Sequence, residues 1–150
     1  IAQAQGWRDG RLAFSHFAVA RLYVGSDRAR AVREFATAAA IYRSLPGGAI
    51  QVAHIDMQLA AIAVATGQPE KAIRFADRAK PVVRRAQNMS LLATLMLIEA
   101  EALDALGRTA EADRLRVDSQ PAARYGFGAE SEIRARRREI AALGGSWTRG

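Results

Sequence analysis

Gly25, Gly67 and Gly107 each stand between two stretches of helical apolar spacing, 42 and 40 residues apart. A chain punctuated this way has to fold as a succession of helix pairs, because one pair alone cannot bury its apolar faces. Before the glycines run Leu12, Phe14, Phe17, Val19, Leu22 and Tyr23, then Ile55, Leu59, Ile62 and Val64, then Leu91, Leu95, Ile98, Ala102 and Leu106. After them come Ala31-Val32, Ala72-Ile73, and Ala112 followed by the polar Asp113, so the pattern weakens towards the third unit. No stretch alternates with period two, and an all-α chain is expected.

Local signals agree with this division. Ser26, Gln68 and Thr109 occupy helix-start positions, Asn88 can cap a further helix, and Pro69 suits a first helical turn. Leu45-Pro46-Gly47-Gly48 breaks the chain between the first two units. Pro81 falls inside the return helix of the second unit and is expected to bend or shorten it. Ala72, Ala76 and Ala79 lie on one face of that helix. Small side chains there let two backbones approach where leucine would hold them apart.

Composition limits the chemistry. Half of the 150 residues are apolar and a quarter charged, which is globular composition. The absence of cysteine removes disulfides and thiolate sites. The most apolar run, Leu91–Ile98, ends at Glu99 and Glu101, far short of the ~20 residues of a membrane span. The first residue is Ile1, as expected of a processed or trimmed chain, and a periplasmic or exported location stays as open as a cytoplasmic one. Net charge is +7, carried almost wholly by arginine, since only Lys71 and Lys80 are lysines.

The triads Ala31/Phe35/Ala38 and Ala72/Ala76/Ala79, each following a glycine turn, resemble the second helix of the tetratricopeptide (TPR) repeat. Ala112/Arg116/Ser119 is a poor third copy, and units of 40–42 residues exceed the family's usual 34. The segment Ala123-Arg-Tyr-Gly-Phe-Gly128 is similar to the tail of bacterial, often exported, TPR-like proteins. Gly126 and Gly128 are expected to stop a helix there, with Tyr125 and Phe127 pinning the junction into the core. The resemblance implies one domain over residues 1–150, a right-handed TPR-like stack of three helical hairpins at about 10–46, 48–87 and 88–122. A C-terminal capping helix at about 129–143, carrying Ile133, Ile140 and Leu143, would end at Gly144-Gly145.

The same resemblance implies a concave groove lined by the first helix of each unit. By position, Leu12, Ser15, His16, Val19 and Tyr23 fall there from the first unit, and His54, Met57, Gln58 and Ala61 from the second. Thr94, Leu97, Glu101 and Asp104 follow from the third, so the groove would be apolar with acid at one end. Tyr23, His54, Met57, Gln58, Leu97, Glu101 and Asp104 are the expected partner-binding residues.

Catalytic signals are weak. His16 and His54 map to one expected surface, but no His-Glu-x-x-His spacing accompanies them. Ser15 and His16 are sequence neighbours and so point apart on a helix. A non-enzymatic protein–protein interaction module is therefore expected, an adaptor or assembly subunit with no catalytic residue, metal, cofactor or small-molecule substrate. The alternative is a basic helical domain on an anionic membrane or nucleic-acid surface, through Lys71, Arg74, Arg78 and Arg85 with Lys80 and Arg84 beside them, and through Arg134–Arg138. Nucleic acid is the less expected of the two, because no aromatic residues interleave with these cations; peripheral membrane contact fits them better.

Overall fold

A computed structural model describes the backbone of residues 2–128 and 130–146 and the side chains of 4–128 and 131–142. Among these residues there are seven helices and no strand: α1 Ala2–Tyr23, α2 Arg28–Arg43, α3 Ala49–Ala65, α4 Pro69–Arg85, α5 Met89–Ala105, α6 Thr109–Phe127 and α7 Glu130–Ser146. The fold is all-α, an arrangement compatible with a helical repeat. The chain divides into two compact units, residues 1–55 and 56–150, with the boundary inside α3.

In the first unit α1 packs on α2. Ala13 and Ala20 of α1, and Ala31, Phe35 and Ala38 of α2, are buried, and the Phe17 and Phe35 rings meet edge to face at 5.7 Å. α1 begins well before the expected start of the unit near residue 10. The turn between the helices closes without a left-handed residue at Gly25: the Ser26 and Asp27 amides both donate to the Tyr23 carbonyl. The helix cap is Asp27, whose carboxylate accepts from the Arg30 amide, and not Ser26.

The second unit has a shorter period than the glycines suggest. α3, α4, α5 and α6 begin at Ala49, Pro69, Met89 and Thr109, one every 20 residues. Three successive turns share one hydrogen-bond pattern, in which the amides of Gln68, Asn88 and Arg108 reach back to the carbonyls of Ala63, Val83 and Leu103. This six-to-one bond is a Schellman closure, which needs a left-handed residue just before the donor. Gly67 (φ 73°) and Gly107 (φ 76°) supply it twice, and Gln87 (φ 55°) supplies it between them. The intermediate turn carries no glycine, so glycine spacing reports only every second step.

α5 is buried on almost every side, from Leu91 to Leu103, and packs against α4, α6 and α7. Leu97, Ile98 and Ala102 of α5 meet Ala60, Ala63 and Val64 of α3, Ala72 of α4 and Ile140 of α7 in one cluster. Ala72, Ala76, Ala79 and Val83 are all buried, and α4 continues through Pro81, whose ring lies on the exposed side. Burial of Ala79 and Val83 on either side holds the helix despite the lost hydrogen bond. In the poorer third copy Ala112 and Ser119 are nonetheless fully buried, and the Ser119 hydroxyl donates to the Arg116 carbonyl at 2.7 Å.

The C-terminal segment departs from expectation. Gly126 lies within α6, and only Gly128 (φ 85°) caps it. A Cβ at residue 126 would sit 2.3 Å from the Ser90 nitrogen, so this glycine serves close approach to the start of α5. Tyr125 is 83% exposed, while Phe127 packs against the α5 cluster. Ile133 and Ile140 of α7 are buried as expected, the helix runs past Gly144-Gly145 to Ser146, and the Leu143 side chain lies outside the described residues.

Three substitutions test this account by urea unfolding. Gln87→Gly relieves a left-handed side chain and should stabilise by about 1 kcal/mol. Gly126→Ala should destabilise by roughly 1–3 kcal/mol through overpacking, whereas Gly6→Ala, with open space around it, should gain about 0.5–1 kcal/mol. Equal midpoints for the Gly126→Ala and Gly6→Ala variants would contradict the close α6–α5 approach.

Candidate functional site

The residues expected to line a groove divide into two groups. Tyr23 and His54 belong to the first unit, and both are half-buried. The Tyr23 ring carries the Arg30 guanidinium 4.0 Å from its centroid. Partial burial lowers the His54 pKa below its ordinary value. His16 is engaged across the α1–α2 contact, its Nδ1 2.5 Å from a Glu34 carboxylate oxygen.

In the second unit Met57 and Gln58 are half-buried, and Met57 packs at the edge of the α5 cluster. Leu97 is 3% exposed within that cluster, so its side chain belongs to the core and is not the open groove wall expected for a protein partner. Glu101 and Asp104 are also committed. Arg116 of α6 donates to Glu101 at 3.0 Å and to Asp104, and a second nitrogen donates to Asp113 at 3.1 Å. Burial would lower the Arg116 pKa, but its hydrogen bonds to Asp104 and Glu101 outweigh this and hold it raised. The expected acidic rim is therefore a tie between α5 and α6, its two carboxylates sharing one arginine. It could not be foreseen locally, because Arg116 reaches it across a full helix turnaround.

The basic stripe on α4 is also partly committed. Arg78 grips the buried Asp56 of α3 with two donors, Nε to Oδ2 at 3.0 Å and a terminal nitrogen to Oδ1 at 2.6 Å. The hydrogen bond to Asp56 is the chief reason its pKa is raised. Lys71, Arg74 and Arg85 remain exposed, with no carboxylate partner among the described residues. Lys80, expected beside this stripe, is instead mostly buried, 2.5 Å from Glu99 and 3.3 Å from Asp77. Burial of Glu99 raises its pKa even though Lys80 opposes the shift. Glu99 was legible only as the end of an apolar run; its pairing with one of the chain's two lysines was the missed signal.

The strongest exposed feature lies on α1, where apolar spacing alone suggested core. Trp7 is 65%, Phe14 62% and Leu22 79% exposed. With Arg11 and Ala18 they follow steps of four, three, four and four residues, one helical face turned away from buried Ala13 and Ala20. The Arg11 guanidinium lies 4.7 Å from the centroid of the Trp7 ring. The clue was the number of apolar positions, too many for a single buried stripe.

Among the described residues no three His, Asp or Glu side chains group to hold a metal, and no helix is long and apolar enough to cross a membrane. Glu99 and His54 make opposite contributions to pH dependence. A carboxylate with a raised folded pKa takes up protons on folding, so its part of stability falls as pH rises above 4.5 through the folded value. An imidazole with a lowered folded pKa releases protons, so its part falls as pH drops below 6.5 through the folded value. Melting across about pH 4 to 7 should therefore lose the first trend in Glu99→Gln and the second in His54→Asn. Parallel curves for both variants and the parent would refute the assignment.

No family model, no curated protein and no solved structure matches the chain.

Proposed function

We propose that this chain is a non-enzymatic protein–protein interaction module of TPR-like design, a divergent array of three hairpins with α7 as cap. The observation that carries the proposal is the outward face of α1, where Trp7, Phe14 and Leu22 stand exposed along one line. Large apolar side chains aligned on a helix form an anchor row for a second amphipathic helix. Of the residues first expected to bind, Leu97, Glu101 and Asp104 are taken up by packing and ion pairing, which moves the favoured surface to α1.

Charge selects the partner. Arg8, Arg11 and Arg21 flank this row and no carboxylate lies on the same face. A second copy docked face to face would set arginine against arginine, whereas a helix with an apolar ridge edged by Asp and Glu complements it. The alternative, a basic domain on an anionic surface, retains Lys71, Arg74 and Arg85 but loses Arg78 to Asp56.

The test uses the full chain with Trp147→Phe, so that Trp7 alone reports. Two helical peptides with the same leucine ridge carry either glutamate or lysine flanks. Binding of the acidic peptide should blue-shift Trp7 emission, weaken as salt rises, and fall at least about tenfold in Phe14→Glu. Because Phe14 is exposed, that variant should unfold within about 0.5 kcal/mol of the parent. Indifference to flank charge, or a chain dimer that Phe14→Glu abolishes, would overturn the acidic-helix assignment.

A further inference from the structure

α6 and α7 face each other across Gln120, Arg124, Ile133 and Arg137, which surround a void of about 40 Å³. The Arg137 Nε is buried there and has no hydrogen-bond partner. Arg78, Arg108, Arg116 and Arg136 each hold a carboxylate, but neither Arg124 nor Arg137 has one among the described residues. Two arginines thus line one small space, and neither has a carboxylate among the described residues, an arrangement that like-charge repulsion and an unmet buried donor both oppose. A bound anion would resolve both.

The void adjoins a larger cavity of about 190 Å³ that shares Gln120 and Arg137 and continues along Leu97, Val117 and Ile140. Glu101 also borders this second space, its charge held by Arg116. We propose that the cleft binds a small organic monocarboxylate. Its head sits between Arg124 and Arg137, and its apolar body lies against Leu97, Val117 and Ile140. The flat fork of arginine matches a planar carboxylate with paired hydrogen bonds. The polar void has room for about one or two waters, which suits a carboxylate head better than a tetrahedral phosphate. Arg116 borders this space as well and is paired with Glu101, so the cleft offers an unpaired cation only to the carboxylate head, which suits a monoacid.

This site is independent of the α1 face, and its test does not involve that face. The full chain is titrated with sodium hexanoate, acetate, inorganic phosphate and chloride at equal ionic strength, following Tm and the amide shifts of α6 and α7. Hexanoate should give saturable shifts, acetate weaker ones, and phosphate and chloride only what ionic strength explains. Arg137→Gln and Arg124→Gln should each weaken hexanoate by roughly tenfold or more, while Arg74→Gln leaves it unchanged. Arg124 is exposed, so its variant carries the test if Arg137→Gln does not fold. Equal response to all four anions, preference for phosphate, or unweakened hexanoate binding in Arg124→Gln would each overturn the proposal.

Discussion

The second unit depends on the burial of α5. A helix covered on almost every side must be met by several neighbours at once, and each neighbour needs a way to come close. α4 does so with Ala72, Ala76 and Ala79, and α6 with Ala112 and Ser119. The end of α6 does so with Gly126, where no side chain fits above the Ser90 backbone. The small residues are thus spread over the helices around α5, while the bulk is concentrated in α5 itself. Large-to-small changes in α5 and small-to-large changes around it would damage the same packing from opposite sides.

A fully surrounded helix also has to place its polar residues. Glu99, Glu101 and Asp104 all lie on α5, and each is met by a cation from a neighbour, Lys80 of α4 or Arg116 of α6. Buried pairs of this kind give little net stability, because desolvation offsets most of the attraction. They do fix which helix lies on which side, since a carboxylate left unmet is costly. Arg116 occupies the middle position of the third triad, where Phe35 and Ala76 stand in the other two. The departure of this triad from the other two is the exchange of an apolar residue for an ionic contact.

The parts of this architecture that were legible in sequence are those set by neighbours a few residues apart. Helical spacing, the alanine triads and the glycine turns are local, and they predicted an all-α chain with the correct faces on α4. The 20-residue step was hidden because Gln87 takes a left-handed conformation in which glycine is expected. The two faces of α1 were confused because periodicity shows that a residue is apolar, not whether anything covers it. Leu97, Glu101 and Asp104 were misplaced because their partners come from other helices, as far away as Ile140 and Arg116. Site residues are the least legible where their chemistry depends on such distant pairing.

The same logic separates structural charge from functional charge. Asp56, Glu99, Glu101 and Asp104 are each satisfied by a basic side chain, so the fold itself explains why they are there. Arg124 and Arg137 are different: they line one void, neither has a carboxylate partner among the described residues, and the Arg137 Nε is buried there without a hydrogen bond. Trp7, Phe14 and Leu22 are the apolar counterpart, large side chains in a line where helix formation alone requires no such residues. Packing explains the alanines and the paired acids completely. It leaves these two sets unexplained, and a chain whose core is built so economically from small residues has no structural need for either.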